Sequence, residues 1–145
     1  MIVFLDFDGV LHGVGQPPFS QLPRLEGVMR DHPWAEIVLT TSWREAYTFD
    51  KLRGLFSADI QLRVIGMTPV INDPYTTAEY RLHHRYREVL LYIDRGQLRE
   101  RQWIALEDDQ KNYPEDLANI VWCDPVTGLD EEAERKIRLL LGTRS

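Results

Sequence analysis

Ile2-Val3-Phe4-Leu5-Asp6-Phe7-Asp8-Gly9 is the stretch on which the fold turns. Four consecutive apolar residues rich in β-formers are stopped by two carboxylates and a glycine. A short, unbroken apolar run bounded in this way predicts a strand buried on both faces, as in a parallel sheet. Strand periodicity of two sends the Asp6 and Asp8 side chains to one side and Phe7 to the other, into the core. Gly9 then lets the chain turn sharply away. In open parallel sheets ligands gather beyond the carboxyl ends of the strands, where this acidic pair falls. Capping, pairing with arginines or a solvated turn would each explain an isolated Asp-x-Asp. A buried run before it and Gly9-Val10-Leu11 after it favour a site.

Similar runs recur at Ile37-Val38-Leu39, at Leu62 to Ile65, at Trp103 to Leu106 and at Ile120 to Trp122. Between them lie helical candidates. Leu22 to Arg30 ends before His32-Pro33, and Arg44 to Phe56 places Tyr47, Leu52, Leu55 and Phe56 on one side. Thr77 to Ile93 is the longest. Asp130 to Leu141 has acidic residues first and basic ones later, the order a helix dipole favours, and Leu129, Ala133, Ile137, Leu140 and Leu141 form its apolar stripe. Gly66 to Thr76 reads as a loop. Strands alternating with helices throughout predict an α/β fold, a Rossmann-like three-layer sandwich around a parallel central sheet. The expectation is one domain over residues 1–145.

Composition narrows the function classes. Of 145 residues 43% are hydrophobic and 28% charged, an ordinary globular mixture, and the formal charge of −6 argues against sequence-blind adhesion to nucleic acid or anionic lipid. Cys123 is the single cysteine, so no intrachain disulfide forms, and it reads as a buried small hydrophobe. The apolar run at the start is too short for a signal sequence, and none reaches the ~20 residues of a membrane span. A cytoplasmic location with no membrane partner is expected.

Phe4-Leu5-Asp6-Phe7-Asp8-Gly9-Val10-Leu11 resembles motif I of the haloacid dehalogenase-like (HAD) phosphohydrolase superfamily. The resemblance implies that Asp6 is the nucleophile and Asp8 the general acid/base. It also implies a second motif, a strand ending in a hydroxyl residue that binds phosphate. Thr40-Thr41-Ser42 fits, with Thr41 favoured and Ser42 next, although these hydroxyls would equally cap a helix starting near Arg44. For the third motif, a cation, Arg85 is favoured, because Arg85-Tyr86-Arg87-Glu88-Val89 resembles the R-x-x-E-I stretch of one small HAD group. An intrahelical pair of Arg85 with Glu88 is the plain alternative, and Lys111 is a weaker contender. The fourth motif supplies metal ligands. Glu107-Asp108 stands where Asp-Asp is usual, so the register could instead be Asp108-Asp109. Ser42-Trp43-Arg44, Gly66-Met67-Thr68-Pro69 and Gly128-Leu129 extend the likeness to the HAD-type domain of Swiss Army Knife RNA repair proteins.

For chemistry the resemblance implies Mg²⁺-dependent phosphate-ester hydrolysis through an aspartyl phosphate, the metal held by Asp6, the Asp8 carbonyl and Glu107/Asp108. Only 32 residues separate Asp8 from Thr41 and 42 separate Ser42 from Arg85, intervals already filled by helices and a strand. A capless, open site is therefore expected. It suits a phosphate on a bulky molecule, a nucleic-acid end or a phosphoprotein. The arginines of Arg81 to Arg101, with Arg95 and Arg99, could guide a phosphate backbone, and Trp43 could stack on a base. A solvated helix and a packed Trp are the plain alternatives, and His12 reads as a flap residue without a chemical role. Two other classes compete. A phosphate-accepting receiver domain would need its acceptor Asp after the third strand, where Gly66 and Met67 stand. A catalytically silent Mg²⁺-binding module stays open because of Glu107.

Overall fold

A computed structural model describes residues 1–71 and 82–143. Five strands form one sheet: β1 (Ile2–Leu5), β2 (Glu36–Leu39), β3 (Val64–Met67), β4 (Trp103–Glu107) and β5 (Ile120–Trp122). Their order is β3-β2-β1-β4-β5 and every pairing is parallel. β1 is the central strand, with Leu5 opposite both Leu39 and Leu106. The chain runs from β1 outward on one side and then crosses to β4 on the other. Such a reversal opens a crevice at the carboxyl ends of β1 and β4.

Period-two alternation splits the strand side chains between two cores. Val3, Leu5, Ile37, Leu39, Ile104 and Leu106 face one side, where the helices Leu22–Asp31 and Glu131–Leu141 cover them. Ile2, Phe4, Val38 and Ala105 face the other, under the helix His84–Arg95 with Tyr113. Helices on both faces make the expected three-layer α/β sandwich, and no cap domain is present among the described residues.

Several expectations change. The third strand begins at Val64 rather than Leu62, because Leu62 caps the short helix Ala58–Gln61 and is 80% exposed. Arg63 fixes that turn by donating to the carbonyls of Met29, His32 and Ala35. The helix expected over Arg44 to Phe56 is instead a 3₁₀ turn, Ser42–Glu45, and a five-residue helix, Phe49–Arg53. Thr48 interrupts it by accepting from the Lys51 N–H, which restarts the helix with a cap. The long helix runs from His84 to Arg95, ending two residues beyond expectation. Gly66 and Met67, expected to open a loop, instead end β3, paired with Val38 and Leu39; the helix start expected at Thr77, like Arg81 and residues 72–76 of that expected loop, lies outside the described residues.

Candidate active site

Asp6 follows β1 immediately, and period two puts it on the side of Ile2 and Phe4. Glu107 closes β4 on the side of Trp103 and Ala105, so the sheet brings both carboxylates under the helix that carries Arg85. Asp108 completes the group: one oxygen each from Asp6, Glu107 and Asp108 lies within 4.8 Å of the others. Gly9 makes this closure feasible. Its φ is +76°, and a Cβ there would run into the Asp108 carboxylate. Here the glycine serves both a left-handed turn and a close approach.

Three clustered carboxylates oppose full ionisation. Burial, then the Asp6 charge, pushes the Glu107 carboxyl up to about 10. Burial also raises Asp6, to about 6, partly offset by a side-chain bond with Glu107, while the Asp108 charge raises it and the Arg85 charge lowers it. Without a cation the proton therefore rests on Glu107, with Asp6 as its acceptor. Glu107 is held in place: Oε1 accepts from Asn112 Nδ2 at 2.9 Å and Oε2 from the Asp108 N–H at 3.0 Å. An all-oxygen, anionic donor set with one member that cannot ionise alone fits a hard divalent cation such as Mg²⁺.

Arg85 reaches this cluster from the first turn of its helix. Burial disfavours its charge, but Glu88, Asp6 and Glu107 outweigh that and leave the guanidinium more firmly charged than usual. Its Nη1 donates to Glu88 at 2.8 Å, so the intrahelical pair also forms. Its buried Nε–H has no hydrogen-bond partner among the described residues. Glu88, fully buried, also takes Arg44 Nη2 at 2.6 Å and the Ile71 N–H at 3.0 Å. Arg44 in turn donates to the carbonyls of Thr40, Thr41 and Thr68 at 2.7, 2.8 and 3.0 Å. One Arg-Glu-Arg chain, buried at Arg44 and Glu88 and half-buried at Arg85, thus ties the end of β2 to the helix bearing Arg85.

Thr41 is fully buried and its hydroxyl accepts from the Trp43 N–H at 3.2 Å, the capping role. Ser42 is exposed beside it. Asp8 does not join the carboxylate cluster. The turn after Phe7, with Val10 and Leu11 N–H both on the Phe7 carbonyl, breaks the strand alternation. Asp8 is 61% exposed and is held by His12 Nε2 at 2.9 Å and Trp43 Nε1 at 3.0 Å. Phe7 is buried as expected. Trp43 is packed, its ring against Phe7, Phe19, His12 and Tyr47. Lys111 sits exposed in the 3₁₀ turn Gln110–Asn112. Cys123 is buried, which raises its thiol to about 12.

Arg44 and Glu88 stand within recognisable motifs, yet the sequence assigns Arg44 no role and Glu88 only the pair with Arg85, and it leaves Asn112 unmarked. Arg44 carries a signal, a charged residue in a segment that packs. Asn112 carries none, because an amide five residues after an acid is unremarkable until the turn forms.

The carboxylate cluster and the half-buried Arg85 thus stand at the carboxyl ends of a parallel sheet of order 3-2-1-4-5, where open α/β folds bind their ligands. A family model, the HAD domain in Swiss Army Knife RNA repair proteins, matches residues 2–133, and the chain belongs to that family. HAD domains are in general of phosphohydrolase type. No curated protein and no solved structure matches the chain. No helix among the described residues is long and apolar enough to cross a membrane.

Proposed function

We propose that the chain is a Mg²⁺-dependent phosphomonoesterase that works through an aspartyl phosphate on Asp6 and acts on a bulky substrate such as a nucleic-acid end. The observation that carries it is the carboxylate cluster of Asp6, Glu107 and Asp108 beside the Arg85 charge, which pulls the Asp6 carboxyl down against its burial. Asp6, Glu107 and Asp108, with the Asp8 carbonyl, would hold the cation. A bound Mg²⁺ supplies charge neutralisation between nucleophile and phosphate.

An Asp6 oxygen attacks phosphorus and the bond to the leaving oxygen breaks, with Asp8 donating the proton that oxygen needs. Water then attacks the phosphorus of the acyl phosphate, Asp8 takes its proton, and inorganic phosphate leaves with Asp6 restored. Arg85 and the hydroxyls of Thr41 and Ser42 orient the phosphoryl oxygens. No cap domain stands among the described residues, which supports a large substrate, and the family's name favours nucleic acid over phosphoprotein.

The test compares kcat/KM on a phosphorylated oligonucleotide, a phosphopeptide and sugar phosphates, with and without Mg²⁺, in wild type and Asp6→Asn. The oligonucleotide is expected to win, and Asp6→Asn to lose about three orders of magnitude or more while staying folded. Beryllofluoride with Mg²⁺ is expected to bind the wild type and raise its melting temperature. A folded Asp6→Asn with near wild-type turnover rejects the mechanism, and Mg²⁺ binding without turnover of any ester indicates a silent module.

A further inference from the structure

Asp8 is mostly exposed, yet each of its oxygens is fixed by a ring. Trp43 Nε1–H donates to Oδ2 at 3.0 Å. His12 Nε2 lies 2.9 Å from Oδ1, and the other imidazole nitrogen determines the role of the first. His12 Nδ1 stands 3.1 Å from the backbone N–H of Phe19, which can only donate. Nδ1 is therefore an acceptor without a proton, and Nε2 carries the hydrogen that it gives to Asp8.

The surroundings are built for this arrangement. Phe19 has φ +59°, a left-handed conformation that costs a bulky residue energy and aims its N–H at the imidazole. Its ring then packs edge-on against His12, Phe7 and Trp43, with centroids 5.5, 5.6 and 5.2 Å away. Asp8 and His12 are also joined through the backbone, the Gly9 N–H donating to the His12 carbonyl at 2.9 Å. An exposed aspartate in a solvated turn needs none of this.

We infer that His12 and Trp43 are positioning residues that lock the Asp8 carboxylate for proton transfer, a role that rests on the proposed work of Asp8. Each carboxylate oxygen keeps a second lone pair, so two fixed donors aim the group while leaving room for the transferred proton. Freed of them, Asp8 rotates, and protonation of the leaving oxygen loses its geometry.

The readout is leaving-group dependence, which a merely structural role would not move. A 4-nitrophenolate departs without a proton and a benzyl alkoxide cannot. The kcat/KM ratio of benzyl phosphate to 4-nitrophenyl phosphate is expected to fall about tenfold in His12→Asn and in Trp43→Phe. Asn can still accept from Phe19 but falls short of Asp8, and Phe keeps the ring without the N–H. His12→Gln reaches Asp8 with an amide donor and is expected to restore the ratio. A ratio that stays put in both variants, or equal losses on both esters, overturns the inference. A second measurement needs no variant and no activity: the ¹⁵N imidazole shifts of the wild type at pH 8. A proton on Nε2 alone is expected, and a proton found on Nδ1 overturns the hold on Asp8. A wild type that cleaves neither ester counts against the proposed function, and the tautomer still decides the positioning.

Discussion

The two faces of the sheet are built to different rules. On the face of Val3 and Leu5, helices Leu22–Asp31 and Glu131–Leu141 bring Leu25, Val28, Met29, Ile137 and Leu141 onto an apolar core. On the face of Ile2 and Phe4, the helix His84–Arg95 brings Val89 and Ile93 to a smaller cluster bordered by Tyr86, Tyr92, Trp103 and Trp122. The same face ends, at the carboxyl edge, in Asp6, Glu107, Arg85, Glu88 and Arg44. One face stabilises by removing apolar surface from water; the other gives part of its area to buried charge. A fold needs the first to tolerate the second.

Glu88→Ala is expected to damage the second face most. It strips Arg44, Arg85 and the Ile71 N–H of their shared acceptor and leaves the buried Arg44 guanidinium without its ion-pair partner, while Arg85 keeps the charges of Asp6 and Glu107 nearby. Removing one partner of a buried pair costs about 3–5 kcal/mol. Denaturant unfolding should show that loss, and a change under about 1 kcal/mol would mean the arginines find other partners. On the first face Leu25→Ala, at a fully buried position, is expected to cost about 3 kcal/mol through transfer and cavity terms. Function separates the two variants where stability does not. Leu25→Ala should leave the Mg²⁺-induced rise in melting temperature intact, whereas Glu88→Ala should also depress phosphatase activity by releasing Arg85.

A smaller effect separates neighbouring acids. Asp108 belongs to the cluster and leans on Gly9, while Asp109 is exposed and caps the turn at Gln110–Asn112 by accepting from the Lys111 N–H. Asp108→Ala should weaken Mg²⁺ about tenfold or more, and Asp109→Ala far less. The reverse order, from activity against metal concentration, would show the acidic motif shifted by one residue.

The two faces are not equally legible in the sequence. Apolar runs mark four strands nearly to the residue, because a strand buried on both sides leaves an unbroken hydrophobic signature. β3 slips by two since Leu62 is apolar yet exposed, and a lone Leu in a turn looks like a strand residue. The segment after β2 reads as one helix because Tyr47, Leu52 and Leu55 match a helical stripe, while the stop at Thr48 comes from a single side-chain cap. At the site, Asp6, Glu107 and Asp108 are readable from strand ends. Strand period places Asp8 on the same side as Asp6, but that period ceases to apply once Gly9 turns the chain. His12 shows no role in the sequence because its role depends on Phe19, seven residues away and held in a rare backbone conformation.

The charge buried on the second face also implies a pH dependence. An ordinary glutamate in the unfolded chain loses its proton near 4.5, while folded, metal-free Glu107 keeps it up to about 10. Between those values the native state binds more protons than the unfolded one, so stability falls as pH rises. Asp6, raised to about 6, adds to the fall only between about 4 and 6. Other groups titrate too, so the informative quantity is the difference between wild type and Glu107→Gln. Gln stays neutral, and Asn112 can turn its amide to meet it. In chelator the two proteins should be similar at pH 5, and the variant should gain on the wild type by on the order of 1 kcal/mol per pH unit towards pH 8. Saturating Mg²⁺ should reverse the order. The cation needs the ionised carboxylate, so its stabilisation of the wild type grows with pH, and the variant has lost a ligand. Parallel pH curves in chelator would mean that Glu107 is already ionised in the metal-free fold, with Arg85 alone sufficient to balance the cluster.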